Sequence, residues 1–237
     1  DVCSSDLSPD GSRVAYVREN NIYVENVETG AITPLTTDGS AHVINGTADW
    51  VNEEELEIRD AFRFSPDGRS IASWQFNLDG VREMNLVDNT QGNYPRVITI
   101  PYPKVGEQNS ATRVGIVPVA GGETRWIDLP GDPRNHYIPR MEWTPNSTGL
   151  LIQQMNRVQN TNTVYLASFE TARARVVLVE RDDAWIENEN PVRWLDNGQQ
   201  FLWLSERSGW RHLYRAGLDG TLSPITQGEW DVMQVEA

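Results

Sequence analysis

The chain has 237 residues, a formal net charge of −14 from 20 basic against 34 acidic side chains, and 38% hydrophobic residues. That balance argues against nucleic acid and anionic membrane surfaces as partners, because both call for basic patches, and no apolar run approaches the roughly 20 residues that cross a bilayer. Cys3 is the single cysteine, which excludes an intrachain disulfide and a thiolate metal site.

A turn phrase recurs along the chain. It reads Leu7-Ser-Pro-Asp-Gly11, Phe64-Ser-Pro-Asp-Gly68, Trp143-Thr-Pro-Asn-Ser147 and Trp194-Leu-Asp-Asn-Gly198, and the apolar runs Val14–Val17, Ile71–Trp74, Leu150–Ile152 and Phe201–Leu204 follow the four copies in turn. Pro presets the first central turn position, Asp or Asn suits the second, and Gly supplies the positive φ that closes the turn. The Leu, Phe or Trp in front is expected to pack into the core.

Hairpins are predicted between the phrases. Asn21–Val27 turns at Glu28-Thr-Gly30 toward Ile32 and Leu35, and Met84–Val87 faces Val97–Ile100. Val114–Val119 turns at Gly121-Gly122 into Thr124–Ile127, Val164–Leu166 faces Val176–Val179, and His212–Tyr214 turns through Leu218-Asp-Gly220 into Leu222 and Ile225. Such turns flanked by alternating apolar residues are the strongest short-range hairpin signal. A period of about fifty residues with aromatic and Gly punctuation predicts an all-β fold, a β-propeller of about four to five blades with four antiparallel strands each, filling residues 1–237. An open arc leaves edge strands exposed, so the expectation is part of a larger propeller. The start at Asp1 rather than Met also reads as that of a fragment.

Between the first and second phrases lies the acidic stretch Thr47–Leu56, with Glu53, Glu54 and Glu55 in succession after Trp50. A solvated acidic face is the plainest reading. Asp49 suits a helix N-cap, and Asn52 and Glu53 fall in a first turn, where the dipole favours acids. If that turn sits at a cavity rim, Glu54 and Glu55 can converge on one cation. A bound ammonium relieves their mutual repulsion and donates charge-assisted hydrogen bonds to both, with Glu53 buttressing the pair or facing water. A calcium site is the other chemical reading, weakened by the lack of an alternating Asp/Asn loop.

His42, His136 and His212 lack metal-ligand spacing, so no metal and no cofactor is expected. His212 and most of the tryptophans read as core. Trp185 is a candidate for lining a substrate cavity, and Arg59 and Asp60 either orient the acidic run or form a surface ion pair. Asn45-Gly-Thr47 and Asn146-Ser-Thr148 fit the glycosylation pattern, read here as coincidence in a bacterial chain.

Asp49-Trp-Val-Asn-Glu-Glu-Glu-Leu56 resembles the double-glutamate motif of the dipeptidyl peptidase IV family. Other segments carry the resemblance collinearly: Tyr94-Pro and Ile100-Pro-Tyr-Pro-Lys-Val-Gly106 with Asn109; Tyr137–Trp143 with Met155–Asn160; Ser205–Tyr214; and Ile225–Val232. The resemblance implies a serine exopeptidase of the prolyl oligopeptidase type, in which an eight-bladed propeller joins an α/β-hydrolase domain and dipeptides are removed from peptide amino ends, often after Pro or Ala. It implies that Glu54 and Glu55 hold the ammonium of a peptide substrate with a free N-terminus. It also implies a C-terminal hydrolase domain on the same polypeptide, a possible homodimer, and a periplasmic or secreted location. No Gly-x-Ser-x-Gly elbow occurs in these residues, and the family's assisting arginine would precede Asp1, so this segment is not expected to catalyse hydrolysis alone. The alternative is a non-catalytic propeller that binds a protein or peptide, since fold does not imply function.

Overall fold

The computed structural model describes residues 5–187 and 192–236; Cys3 lies outside them. The fold is all-β and built from antiparallel sheets that follow one another along the chain. The first sheet has the order β1 (Ser5–Leu7), β2 (Arg13–Arg18), β3 (Asn21–Asn26), β4 (Ile32–Pro34). Next come β5 (Val43–Asn45), the helix α1 (Trp50–Glu54), β6 (Phe62–Phe64), β7 (Ser70–Asn77), β8 (Glu83–Asp88), β9 (Arg96–Pro101), β10 (Ala111–Pro118) and β11 (Arg125–Trp126). Of these, β11-β10-β7-β5 form the second sheet with β6 also on β7, while β8 and β9 pair only with each other. The third sheet is β12 (His136–Trp143), β13 (Gly149–Asn156), β14 (Thr161–Ser168), β15 (Ala174–Arg181). The fourth is β16 (Arg193–Leu195), β17 (Gln200–Ser205), β18 (His212–Gly217), β19 (Leu222–Pro224).

All five predicted hairpins form, with pairings such as Met84↔Ile100, Val87↔Val97 and Val164↔Leu178. Three turn phrases share one hydrogen-bond pattern. The hydroxyls of Ser8, Ser65 and Thr144 donate to Asp10, Asp67 and Asn146 at 2.6, 2.6 and 2.8 Å. The same hydroxyls accept from the strand-starting N–H of Arg13, Ser70 and Gly149, each at 3.0 Å. The fourth phrase departs from this pattern. Lacking Pro, it turns through Asp196, Asn197 and Gly198, all at positive φ (45°, 53° and 85°), a conformation that Asp, Asn and Gly tolerate best.

Consecutive sheets pack face to face. Ala15, Ile22 and Val24 of the first sheet meet Phe62, Ile71 and Val117 of the second. Trp74, Phe76 and Ile116 of the second meet Ile138, Met141 and Ile152 of the third. Leu151, Val164 and Leu178 of the third meet Phe201, Trp203 and Tyr214 of the fourth. The period-2 geometry of a strand explains how one strand serves two interfaces: along β13, Leu150 and Ile152 face the second sheet and Leu151 faces the fourth. A strand covered on both faces reads as a continuous apolar run, as Leu150–Ile152 does.

Two expectations about the core are corrected. Leu7, on the edge strand β1, is 59% exposed. Trp74, Trp143 and Trp203 are buried, but Trp210 and Trp230 are exposed, because they lie outside the strands that the sheets cover. His212 packs as expected, with Trp230 edge-on at 5.2 Å and ring nitrogens at Thr226 Oγ1 (3.0 Å) and the Gly228 carbonyl (2.8 Å). Asn45 is buried and bonded to Asp38 (2.9 Å), which leaves no room for a glycan there.

Tryptophan indoles tie the third and fourth sheets each to the one before it. Trp143 donates to the Arg63 carbonyl at 3.1 Å, and Trp194, at the equivalent place before the next turn phrase, donates to the Trp143 carbonyl at 2.8 Å. Trp143→Phe keeps an aromatic ring beside Phe169 but removes the bond to the Arg63 carbonyl, which β7 still pairs, so an expected loss of about 1 kcal/mol should appear in urea unfolding. An unchanged midpoint would mean that water takes over the bond.

His136 adds a pH dependence. It is buried between the Thr112 carbonyl at Nε2 (3.1 Å) and the Gln154 amide at Nδ1 (3.0 Å). Burial pushes its pKa below the usual 6.5, against smaller opposing effects of the Thr112 bond and Asp132. The unfolded chain therefore binds the proton first as pH falls, and the stability His136 contributes is present above pH about 6.5 and lost below it. Urea midpoints measured on either side of that pH should differ less in His136→Gln than in the unsubstituted protein.

Candidate functional site

The acidic stretch protrudes from a break in one sheet edge. β5 and β6 run in the same direction along the same edge of β7, pairing Asn45 with Gln75 and Phe62 with Ser73. Between them residues 47–60 loop out, closed at the base by Gly46 N–H to Trp74 O (3.3 Å), Ala61 N–H to Gly46 O (3.1 Å) and Trp74 N–H to Ala61 O (3.0 Å). Gly46 has φ +76°, and a Cβ there would lie 2.7 Å from Ile22 Cγ1 and 2.8 Å from Val17 Cγ2. Only glycine fits both the conformation and the space.

Inside the loop Asp49 caps α1 as the sequence predicts. Its Oδ1 accepts from the Asn52 backbone N–H at 2.9 Å and from the Asn52 side chain at 2.7 Å, and its Oδ2 accepts from Ser110. Asn52 is buried beneath the helix, and Leu56 and Ile58 anchor the far end in the core between the second and third sheets. Arg140 of β12 donates to the Leu56 carbonyl at 2.6 Å. With one side of the turn so occupied, Glu53, Glu54 and Glu55 are left exposed on the other.

Glu55 lines a cleft of about 890 Å³ whose walls include Trp50, Tyr102, Lys104 and Tyr137. Trp50 and Tyr102 lie 4.3 Å apart between ring centroids, tilted by 49°. Glu53 and Glu54 sit beside the cleft on the same helical turn. The opposite wall, residues 102–109, is held by guanidinium groups bonded to backbone. Arg157 donates to the Glu107 carbonyl (2.6 Å) and Arg134 to the Asn109 carbonyl (3.0 Å), while Asn109 donates to the Tyr137 hydroxyl at 2.9 Å. Tyr102 and Arg157 fall in segments that carry the family resemblance, but neither they nor Arg134 show a local sign of a role in the cleft, because each acts through partners far away along the chain.

Two of the remaining candidates end the 47–60 loop, and the third lies elsewhere. Arg59 and Asp60 are exposed. Trp185 lines a separate cleft of about 390 Å³, its indole bonded to Glu187 at 3.0 Å. At the base of that cleft the buried Glu180 accepts from Trp203 (3.0 Å), Ser205 (3.0 Å) and Arg207. Among the described residues no group of three or more His, Cys, Asp or Glu is arranged to hold a metal ion.

The family model for the dipeptidyl peptidase IV (DPP IV) N-terminal region matches residues 2–237. The chain belongs to the dipeptidyl peptidase IV family. It is 31% identical to "Probable dipeptidyl peptidase 4" of Aspergillus clavatus, covering 99% of this chain and 32% of that protein. Against dipeptidyl peptidase 4 of Trichophyton rubrum the identity is also 31%, over 99% of this chain and 32% of the relative. The crystal structure of Porphyromonas gingivalis dipeptidyl peptidase 4 superposes with a TM-score of 0.90 at 31% identity, over 97% of this chain and 33% of that one. The chain thus spans about a third of the length of the dipeptidyl peptidase IV relatives it matches.

Proposed function

We propose that this chain is an arc of the β-propeller of a dipeptidyl peptidase IV-like serine exopeptidase, and that it holds the free amino end of the peptide substrate at α1. The propeller reading is supported by the four larger sheets, each containing an antiparallel four-strand path and each packed on the next through its own apolar cluster. On this reading each larger sheet is a blade of an eight-bladed ring, and the β8–β9 hairpin is an excursion from the second blade.

One observation carries the site: a short helix, looped out of a sheet edge and capped by Asp49, presents Glu54 and Glu55 beside a cleft walled by Trp50 and Tyr102. A substrate ammonium there accepts no hydrogen bonds and donates three, so two carboxylates at the helix end satisfy it better than any neutral group. Glu54 and Glu55 form the clamp, and Glu53 adds to the local negative potential. Fixing the ammonium fixes how many residues of substrate reach a nucleophile, which makes the enzyme a counter of dipeptides. The serine, its base and the acyl transfer belong to a hydrolase domain of the same polypeptide.

The test uses the full-length polypeptide and a Gly-Pro or Ala-Pro conjugate that releases a chromophore. Turnover of the free-amino substrate with none of its acetylated form is the expected result. Equal handling of the two would remove the ammonium clamp and favour a non-catalytic peptide-binding propeller.

A further inference from the structure

A third cleft, of about 1110 Å³, opens where the turn phrases of the second, third and fourth sheets meet the β14–β15 hairpin. It lies at the opposite end of β13 from the acidic site: Gly149 lines this cleft, while Arg157, just past the other end of the strand, lines the first. An eight-residue strand separates them by roughly 25 Å.

Its charge is out of keeping with the rest of the chain. Arg69, Arg125, Arg173 and Arg175 all line it and are all exposed, against two acids, Asp67 and Glu170, in a protein of net charge −14. Asp67, exposed beside Arg69, accepts from Ser65 Oγ (2.6 Å) and the Arg69 backbone N–H (3.1 Å). Among the described residues none of the four guanidinium groups forms an ion pair. Arg125 is held in place by the carbonyls of Phe169 (2.8 Å) and Glu170 (2.7 Å), and Arg175 by that of Leu218 (2.8 Å). Neutral carbonyls orient a guanidinium without cancelling its charge. Phe169 and Leu166 supply apolar wall between these cations.

We propose that this cleft docks an acidic polypeptide segment carrying an apolar side chain, contributed by a partner protein. Carboxylates of the segment pair with Arg69 and Arg173, whose side chains make no hydrogen bond among the described residues, while the apolar side chain covers Phe169. Planar guanidinium groups match carboxylates two bonds at a time, and the concentration of positive charge in an otherwise acidic molecule steers such a segment to this end. The site is independent of the amino-end clamp.

The probe is an amino-acetylated, fluorescein-labelled peptide of glutamates around a single phenylalanine, followed by anisotropy on the full-length polypeptide. Acetylation keeps it from the α1 site, so failure here and failure of the clamp are separate results. Binding is expected, with affinity reduced at least about tenfold by Arg69→Glu/Arg173→Glu and weakened as salt rises from about 0.05 to 0.3 M. Arg173→Glu alone, at an exposed position, serves if the double variant does not fold. The proposal is overturned if the reversed variants bind the peptide unchanged, or if a lysine-for-glutamate version of the peptide binds equally well.

Discussion

Glu54→Gln and Glu55→Gln, made separately in the full-length polypeptide, are expected to lower kcat/KM for free-amino dipeptide conjugates by about 30- to 1000-fold each. The figure follows from removing one partner of a charge-assisted pair, which costs about 2–4 kcal/mol when the remaining charge is desolvated. Glutamine keeps the length of the side chain and its helix propensity, so α1, capped by Asp49 and anchored by Leu56 and Ile58, stays in place and the loss reports charge. Glu55 lines the cleft directly and should give the larger effect. Glu53→Gln removes a carboxylate from the first turn of the helix, away from the cleft wall, and should cost less than about threefold. The proposed clamp also requires a protonated amine. KM for all clamp-competent forms should therefore rise above pH about 8, as the substrate's α-amino group loses its proton. Wild-type activity in both glutamine variants, measured with unchanged thermal midpoints, would reduce the acidic run to a solvated turn.

How much of this was legible beforehand differs between fold and site. The hairpins were readable because their pairing is local: turn chemistry at Gly30, Gly121-Gly122 and Gly220 sets each register. The stacking of sheets is readable as composition, since Leu150–Ile152 is apolar on both faces. Asp49 as a cap and the three glutamates as its exposed cargo also followed from residue order. The break in the sheet edge did not. Nothing local says that Gly46 and Ala61 meet at Trp74, because that closure depends on β5 and β6 both choosing the same edge of β7. The far wall of the cleft was equally hidden, as Arg134 and Arg157 hold it through backbone carbonyls that carry no side-chain signature. Tryptophan is a weaker core signal than its size suggests. Its indole is large enough to cover an edge or stack on a neighbour, as Trp126 does beneath Arg113 at 3.6 Å, without being buried.

Gly46→Ala is the sharpest test of the link between that edge break and the site. The residue has φ +76° and a Cβ would approach Ile22 and Val17 to 2.7 and 2.8 Å, closer than carbon atoms pack. Left-handed backbone costs an alanine about 1–2 kcal/mol, and forcing extra volume into a filled core adds about 1–3 kcal/mol. The expected destabilisation is thus about 2–5 kcal/mol in the urea midpoint, a large effect for one methyl group. The contact lies between the first and second sheets, through Ile22 of β3, so relief requires either those sheets to part or the 47–60 loop to shift at its base. In the second case Gly46 N–H and O lose their bonds to Trp74 and Ala61, and the helix moves with its glutamates. Kinetics separates the two outcomes. Parting of the sheets lowers stability with kcat/KM intact in the folded fraction. Displacement of the loop raises KM for free-amino substrates in protein that is still folded, because the ammonium is then held at the wrong distance from the nucleophile. A substitution this far from the cleft that leaves both stability and KM unchanged would mean that the loop is not set by the pinch at Gly46, and that the position of Glu54 and Glu55 is fixed by Asp49, Leu56 and Ile58 alone.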